Sequence, residues 1–195
     1  MSMTNADKAL QLLMEGNGRF VSGSARGPNR TITRARDVSR AQSPFAAVLG
    51  CSDSRESMDI IFDCGIGDLF VVRIAGNVVS DMVMGSLEFS VLKLGVSLIM
   101  VMGHTNCGAV QAAMDSGEVP GHMGSLMKEI EPCVNLCRRN PDITPDEVSR
   151  ENVKNSVTRL RSAGPILEEK CMDGSLLIVG GIHDLYSGTV DLLIQ

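Results

Sequence analysis

The sequence contains no long run of apolar residues, no excess of positive charge, no internal repeat and no low-complexity segment. Its longest apolar runs, residues 96–102 and 176–179, are far shorter than the roughly 20 residues that span a bilayer. Lysine and arginine total 18 against 23 aspartates and glutamates, which gives a net charge of −5. We therefore expect neither a membrane segment nor a nucleic-acid partner.

The N-terminal residues also lack the continuous apolar core of a secretion signal, and Asp7 lies among them. We therefore expect a cytoplasmic protein. In that compartment the six cysteines are more often buried, catalytic or metal-bound than bridged. Cys133 and Cys137 are four residues apart on a predicted helix, and we interpret them as core residues.

With 44% hydrophobic and 21% charged residues, the 195 residues are predicted to form a single domain, residues 1–195. Residues 1–40 are predicted to be an N-terminal helical arm within it. Thr4 caps the first helix, and the Gly-Asn-Gly sequence at 16–18 is expected to end it. Residues 26–40 hold five arginines and a single acid, so this segment is either a solvated surface or lies on an acidic surface such as a second copy.

Short apolar runs alternate with helical patterns along most of the chain, and this alternation predicts a parallel sheet. The predicted strands are residues 45–50, 69–74, 97–103 and 175–180, with an edge strand or hairpin within 185–194. The fold class is therefore α/β, with a mostly parallel central sheet of four strands plus an antiparallel edge strand, flanked by helices. Repeated glycine and proline between 115 and 145 predict short, interrupted helices there, and the sequence from Thr144 to Glu147 is typical of a helix start.

Chemistry-bearing residues follow two of the predicted strands. Cys51, Asp53 and Arg55 alternate directly after the first, and alternate residues of extended chain point the same way. His104 and Cys107 follow the third strand. Ligands in parallel sheets gather beyond the carboxyl ends of the strands, so we expect Cys51, His104 and Cys107 to meet as a zinc site. The alternative is two small buried thiols and a hydrogen-bonded core histidine.

Three ligands leave zinc one open position, which holds a water whose pKa the metal brings to about 7. Cys107 lies near the start of a predicted helix, a position that lowers a thiol pKa. Asp53 is placed to accept a hydrogen bond from the water, and Arg55 to keep Asp53 ionised. The alternatives are an ordinary surface ion pair, or Asp53 as a fourth ligand that blocks the open position.

Three motifs resemble the β-class carbonic anhydrases, and together with the chain ends they cover nearly the whole sequence. These are residues 51–55 (Cys-Ser-Asp-Ser-Arg), 67–77 (Gly-Asp-Leu-Phe-Val-Val-Arg and then Ala-Gly-Asn) and 103–109 (Gly-His-Thr-Asn-Cys-Gly-Ala). Weaker matches lie at residues 16–20 and at Gly180, Asp184 and Gly188. The resemblance implies an α/β fold, one zinc per chain held by Cys51, His104 and Cys107, an Asp53–Arg55 dyad, and dimers that pair further.

The resemblance also implies a subclass and a substrate pocket. Val48 stands where the bicarbonate-regulated subclass has tryptophan, and Gln42 stands where the plant-like subclass has a substrate-contacting glutamine. This favours the plant-like, open form, with Asp53 off the metal. The implied substrate contacts are Gln42, Phe70, Phe89 and Gly108, some of them from a neighbouring subunit. Glu56, His183 and Phe89 depart from the family pattern, where an apolar residue, an aromatic residue and tyrosine are usual; His183 and His122 are otherwise read as structural or exposed.

The resulting hypothesis is a zinc enzyme that interconverts carbon dioxide and bicarbonate through attack of zinc hydroxide on CO2. A hydrolase of carbonyl sulfide or carbon disulfide on the same scaffold is the alternative enzyme, because similar sites attack those linear molecules. A non-catalytic zinc-holding or thiol-sensing interaction protein is the alternative of another class. The glycines at 103 and 108 form no phosphate-binding fingerprint, so a nucleotide site has little support.

Overall fold

The computed structural model describes residues 3–115, 119–140 and 142–195. Its centre is a sheet of five strands in the order β2-β1-β3-β4-β5. The strands are β1 (Ala46–Gly50), β2 (Leu69–Arg73), β3 (Leu98–His104), β4 (Leu177–His183) and β5 (Val190–Ile194). The first four are parallel, and β5 pairs antiparallel with β4. The predicted fold class is confirmed, although β4 starts and ends a few residues later than predicted.

Eight α-helices connect and cover the strands in the described residues. They are α1 (Asn5–Val21), α2 (Ile32–Asp37), α3 (Met58–Ile61), α4 (Asp81–Leu94), α5 (Gly108–Met114), α6 (Met123–Cys137), α7 (Pro145–Arg161) and α8 (Ile166–Met172), and a 3-10 turn spans Ala75–Asn77. Reciprocal caps begin α1 at Thr4 and α7 at Thr144, and Gly95 ends α4 in the left-handed conformation.

Two predicted helix features are wrong. α1 continues through the Gly-Asn-Gly sequence to Val21, because these residues serve packing and not termination. A Cβ at Gly16 would lie 1.9 Å from the Phe62 carbonyl oxygen, and Asn17 donates to the carbonyls of Ile61 and Gly188.

The second correction concerns residues 115–145. α6 is an uninterrupted helix of 15 residues with Pro132 inside it. Its buried residues Ile130, Cys133 and Val134 pack in the core at the carboxyl end of the sheet, and this packing outweighs the cost of the proline. Gly117 and Pro141, which contributed to the prediction, lie outside the described residues.

Both faces of the sheet are covered. α4 and α7 pack on one face, where Leu87 and Val157 meet Leu49 and Val101. α1 and α3 pack on the other, where Leu13 and Phe62 join the cluster around Val48 and Met100. α1 is thus an outer helix docked on the sheet. Among the described residues, no helix combines the length and the apolar composition needed to cross a membrane.

Candidate metal centre

The carboxyl ends of β1 and β3 bring two thiols and an imidazole together. Cys51 directly follows β1, His104 is the last residue of β3, and Cys107 is the N-cap of α5. The two strands are parallel neighbours, so their ends lie at one edge of the sheet. One candidate ligand atom from each side chain lies within 4.8 Å of the other two, and all three residues are buried. The predicted cluster forms.

The imidazole of His104 has one nitrogen engaged and one free. Its Nδ1 is 2.9 Å from the carbonyl oxygen of Thr105, so Nδ1 carries the proton and donates. This bond leaves Nε2 with a lone pair, and Nε2 is buried without a hydrogen-bond partner among the described residues. A buried nitrogen without a partner costs free energy unless something binds it. Histidines that bind metal ions almost always donate their other ring N–H in this way, so the arrangement fits a metal ligand.

Cys51 is the thiol of the cluster that loses its proton more readily. Its Sγ accepts hydrogen bonds from the backbone N–H of Gly76 at 3.3 Å and of Asp53 at 3.4 Å. The Cys107 thiol beside it, together with these bonds and His104, lowers the pKa of Cys51 despite its burial. The same hydrogen bond to Cys51, followed by burial, raises the pKa of Cys107. The backbone N–H groups of Ala109 and Val110, at the start of α5, act in the opposite direction and lower the pKa of Cys107, which is the effect expected of a helix start.

Asp53 and Arg55 form a two-bond ion pair next to the cluster. The Nε of Arg55 donates to Oδ1 of Asp53 at 2.8 Å, and Nη2 donates to Oδ2 at 2.7 Å. These hydrogen bonds hold the pKa of Asp53 well below its usual range. Oδ2 lies 4.0 Å from Nε2 of His104. The carboxylate is thus ionised and faces the ligand cluster.

Arg73 is a site residue that the sequence reasoning did not single out. Its Nε donates to the carbonyl of Cys51 at 3.0 Å, and its Nη2 donates to the carbonyl of Asp53 at 2.7 Å. The guanidinium therefore fixes the backbone on both sides of Ser52. The available signal was its place in the sheet, since Arg73 ends β2 and is paired with Gly50, next to Cys51.

Glu56 and His183, two of the departures from the family pattern, contact each other. Oε1 of Glu56 and Nδ1 of His183 are hydrogen-bonded to each other, and both side chains are almost completely buried. His183 is also the register partner of His104 on the neighbouring strand. The reading of His183 as structural is consistent with this contact, whereas the link to Glu56 could not be found from the sequence, where the two lie 127 residues apart.

The predicted substrate contacts do not all lie near the cluster. Gly108 lines a cavity of about 330 Å³ with Cys107 and Asn106. Phe70 and Phe89 instead pack on each other, with ring centroids 6.3 Å apart. Gln42 is exposed in a separate surface groove beside Leu94. Within one chain, the described residues therefore bring only Gly108 to the ligands.

The other four cysteines have surroundings that differ from those of the cluster. Burial raises the pKa of Cys64 to about 12 and that of Cys133 to about 11. Cys133 is buried beside α5, as the core interpretation predicted, and all six cysteines are free thiols. What sets Cys51 and Cys107 apart is geometry, because only these two cysteines lie with His104 in a cluster of candidate ligand atoms among the described residues.

The donor set fits zinc. Two thiol sulfurs and one imidazole nitrogen are ligands that zinc prefers, and three protein ligands are the number found in catalytic zinc sites. The unpartnered Nε2 of His104 supplies the structural evidence for a missing bond. The thiol of Cys51 is already stabilised as a thiolate by its neighbours.

Comparison with known proteins places this site in a family. A sequence model described as carbonic anhydrase matches residues 46–190. A carbonic anhydrase of Mycolicibacterium smegmatis is 39% identical, over 98% of this chain and 95% of its own. Carbonic anhydrase 2 of Mycobacterium tuberculosis is also 39% identical, over 96% of this chain and 93% of its own.

Solved structures of β-carbonic anhydrases share the fold of this chain. The β-carbonic anhydrase of Coccomyxa, in complex with acetazolamide, is 28% identical and superposes with a TM-score of 0.77, covering 95% of this chain and 86% of its own. A tetrameric β-carbonic anhydrase of Sordaria macrospora shares the fold, with a TM-score of 0.77 at 23% identity and coverage of 95% and 97%. The chain therefore belongs to the carbonic anhydrase family, in its β class.

Proposed function

We propose that this enzyme catalyses the reversible hydration of carbon dioxide to bicarbonate and a proton, with one zinc per chain. The observation that carries the proposal is the arrangement of Cys51, His104 and Cys107 around one point, with the Asp53 carboxylate 4.0 Å from Nε2 of His104. Zinc held there supplies a Lewis acid that makes hydroxide available near neutral pH.

Asp53 orients the attacking water. Arg55 occupies both carboxylate oxygens from one side, so the carboxylate stays ionised and its remaining lone pairs accept a hydrogen bond from the water. An orientation fixed before the reaction lowers the barrier, because the oxygen lone pair is already aimed at the carbon of CO2. Since Arg55 holds Asp53 off the ligands, this contact supports the open, plant-like form.

The two thiols determine the charge of the site, and the apolar residues around them exclude water from it. Thiolates at Cys51 and Cys107 would balance the two positive charges of a zinc ion and acidify its water less than three neutral imidazoles would, which increases the need for Asp53. Cys51 and Cys107 are each at most 3% exposed, and an apolar cluster that includes Val78 and Ile130 surrounds them. Such surroundings exclude bulk water and strengthen the interaction between the carboxylate and the water it orients.

A second copy of the chain completes the pocket in this proposal. Phe70, Phe89 and Gln42 do not reach the ligands of their own chain, and Phe89 is 47% exposed. These three residues are therefore free to line the pocket of a neighbouring subunit, as the resemblance implies. The tetrameric relative from Sordaria macrospora is compatible with such an assembly. We expect at least a homodimer and a nearly inactive monomer.

The test is a substrate comparison on purified, zinc-loaded protein. Stopped-flow hydration of CO2 is measured beside sulfide release from carbonyl sulfide and from carbon disulfide. Rapid CO2 hydration with slow sulfide release is the expected result. Faster turnover of a sulfur substrate would replace the proposed substrate, and no turnover of any of the three by zinc-loaded oligomer would favour a non-catalytic zinc protein.

A further inference from the structure

Helix α7 carries none of the candidate ligands, yet its N-terminal half contacts both loops that hold the thiols. Oδ1 of Asp146, in the first turn, accepts a hydrogen bond from the backbone N–H of Asn106 at 2.7 Å. Asn106 lies between His104 and Cys107 and has a φ of 54°, in the left-handed region. Asparagine adopts this conformation more readily than most residues with a side chain, and the hydrogen bond to Asp146 holds Asn106 in it.

Arg55 fixes the other side of the same residue. Its Nη2 donates to the carbonyl oxygen of Asn106 at 3.3 Å, while Asp146 accepts from the N–H. The two peptide groups that flank Asn106 are thus held from opposite elements, and Cys107 follows directly. Asp146 is therefore placed to set the position of the Cys107 sulfur. Arg55, which bonds both Asn106 and Asp53, connects the same loop with the Asp53 carboxylate.

Asp146 is not required to begin its own helix. Thr144 and Glu147 form the complete reciprocal cap, in which the N–H of Thr144 donates to Glu147 and the N–H of Glu147 donates to the Thr144 hydroxyl. The start of α7 is therefore stabilised by its own side chains, and the Asp146 carboxylate is left to bond Asn106. Stability of the helix and support of the site can be separated by mutation.

Asn152, further along the same helix, supports the other thiol. Its side chain is 1% exposed, and Nδ2 donates to the carbonyl of Gly76 at 2.8 Å. The N–H of Gly76 in turn donates to Sγ of Cys51 at 3.3 Å. Gly76 has a φ of 69°, and a Cβ there would lie 2.8 Å from Cδ1 of Ile130, so its peptide is confined to one arrangement.

From these contacts we infer that α7 is the element that positions both thiol ligands, with Asp146 and Asn152 as its positioning residues. The inference rests on the proposed zinc site and extends it to a helix that begins about forty residues after the last ligand. Loss of a residue that orients a metal ligand typically costs 10- to 100-fold in metal affinity or activity. Zinc retention, which is independent of turnover, is the property to measure.

The experiment compares Asp146→Ala, Asp146→Asn and Glu147→Gln as full-length, zinc-loaded chains. Zinc transfer to a chromogenic chelator is timed, and melting temperatures are recorded in parallel. We expect about tenfold faster zinc loss for Asp146→Ala and an intermediate rate for Asp146→Asn, which keeps an acceptor oxygen. Glu147→Gln removes a neighbouring charge but keeps an oxygen that accepts from the N–H of Thr144, so its melting temperature and its rate of zinc loss should both stay near the wild-type values. Equal zinc loss in all chains, or faster loss in Glu147→Gln than in Asp146→Ala, would overturn the role of Asp146.

Asn152→Ala is measured in the same way, with Ser149→Ala as its control. Ser149 is a buried polar residue of α7 whose hydroxyl has no hydrogen-bond partner among the described residues. Cobalt replaces zinc in both, because the visible bands of a cobalt–thiolate site report ligand geometry. We expect altered bands and faster metal loss in Asn152→Ala alone. Unaltered bands and loss rate, or a chain that does not fold, would assign Asn152 a structural role and overturn its half of the inference.

The outcome separates this inference from the proposed function. Wild-type protein that binds no zinc contradicts the proposed function itself. Wild-type protein that binds zinc and hydrates CO2, while Asp146→Ala releases zinc at the wild-type rate, contradicts only the positioning role.

Discussion

Two carboxylates of the segment after β1 lie three residues apart and have very different surroundings. Asp53 pairs with Arg55, a residue whose side chain is 53% exposed, and it faces the ligand cluster. Glu56 is fully buried and pairs with His183, which ends β4. The Asp53 carboxylate therefore faces the ligand cluster and an exposed arginine, whereas the Glu56 carboxylate connects the segment to the sheet.

A turn explains how neighbouring residues reach such different places. The N–H of Glu56 donates to the carbonyl of Asp53 at 2.9 Å, so the chain reverses between them. The Asp53 side chain faces His104 at the end of β3, whereas the Glu56 side chain reaches His183 at the end of β4, two strands away from β1 in the sheet. We propose that Asp53 acts in the chemistry and Glu56 in stability, and the following predictions test that division.

Removal of a ligand has the largest expected effect. Cys51→Ala, His104→Ala or Cys107→Ala should lose most of the zinc and almost all activity, because two ligands hold zinc far more weakly than three. Elemental analysis and CO2 hydration are measured on the same samples, with Cys64→Ala, a buried thiol outside the cluster, as control. A ligand variant with full zinc content and activity would remove that residue from the site.

Breaking the buried pair should have the next largest effect, and it should act on stability. Glu56→Ala leaves His183 buried without its partner, and breaking a buried pair of this kind costs about 3–5 kcal/mol. Urea unfolding gives the change in free energy of unfolding. Hydration activity per bound zinc should change much less, because neither side chain bonds the ligands or Asp53 in the described residues.

Replacement of both residues of the buried pair tests whether Glu56 and His183 contribute to stability alone. Glu56→Leu combined with His183→Phe fills the space with apolar side chains, and such exchanges of a buried pair are often neutral or stabilising. Most of the stability lost in Glu56→Ala should therefore return. A double variant that is stable but inactive would show that the pair also takes part in the chemistry.

Asp63 offers a smaller test at a carboxylate outside the ligand cluster. Burial raises the pKa of Asp63, but the hydrogen bonds from Arg19 and from the N–H groups of Arg26 and Gly27 have a larger, opposite effect. The pKa of Asp63 is therefore lowered from its ordinary value of 3.8 to about 2. A lowered folded-state pKa contributes stability that is complete above the unfolded value and is lost as the pH falls through the folded value. Wild-type stability should therefore exceed that of Asp63→Asn above pH about 4, and the difference should vanish towards pH about 2. Urea midpoints across this range decide it, and a constant difference would contradict the assignment.

The smallest expected effect concerns Phe89. CO2 hydration exports one proton per turnover, and phenylalanine lacks the hydroxyl that tyrosine offers to a proton relay. Phe89→Tyr should therefore reduce the dependence of the hydration rate on buffer concentration, without changing stability. Rates are compared at fixed pH and ionic strength, and identical buffer curves for the two proteins would exclude the relay.

The strands, the meeting of Cys51, His104 and Cys107, and the Asp53–Arg55 contact were predictable from sequence because each depends on local pattern. Apolar runs give β1 and β3, and the ligands follow them directly. The remaining features depend on contacts between distant residues. Gly16 and Asn17 read as a helix end until Phe62 and Gly188 are placed beside them. The partners of Glu56, Arg73 and Asp146 cannot be read from the sequence. The fold shows that they bond His183, the Cys51 carbonyl and the Asn106 N–H, respectively.

Parallel measurement of Asp53→Asn and Glu56→Gln tests the central division most directly, because both changes keep the shape of the side chain and replace one carboxyl oxygen with an amide nitrogen. Each variant is zinc-loaded, and hydration kinetics and the free energy of unfolding are determined on one preparation. We predict that Asp53→Asn loses roughly 100- to 1,000-fold in hydration rate with little change in stability, whereas Glu56→Gln loses stability and keeps most of its rate. The reverse pattern, or equal losses of rate in both variants, would contradict the account.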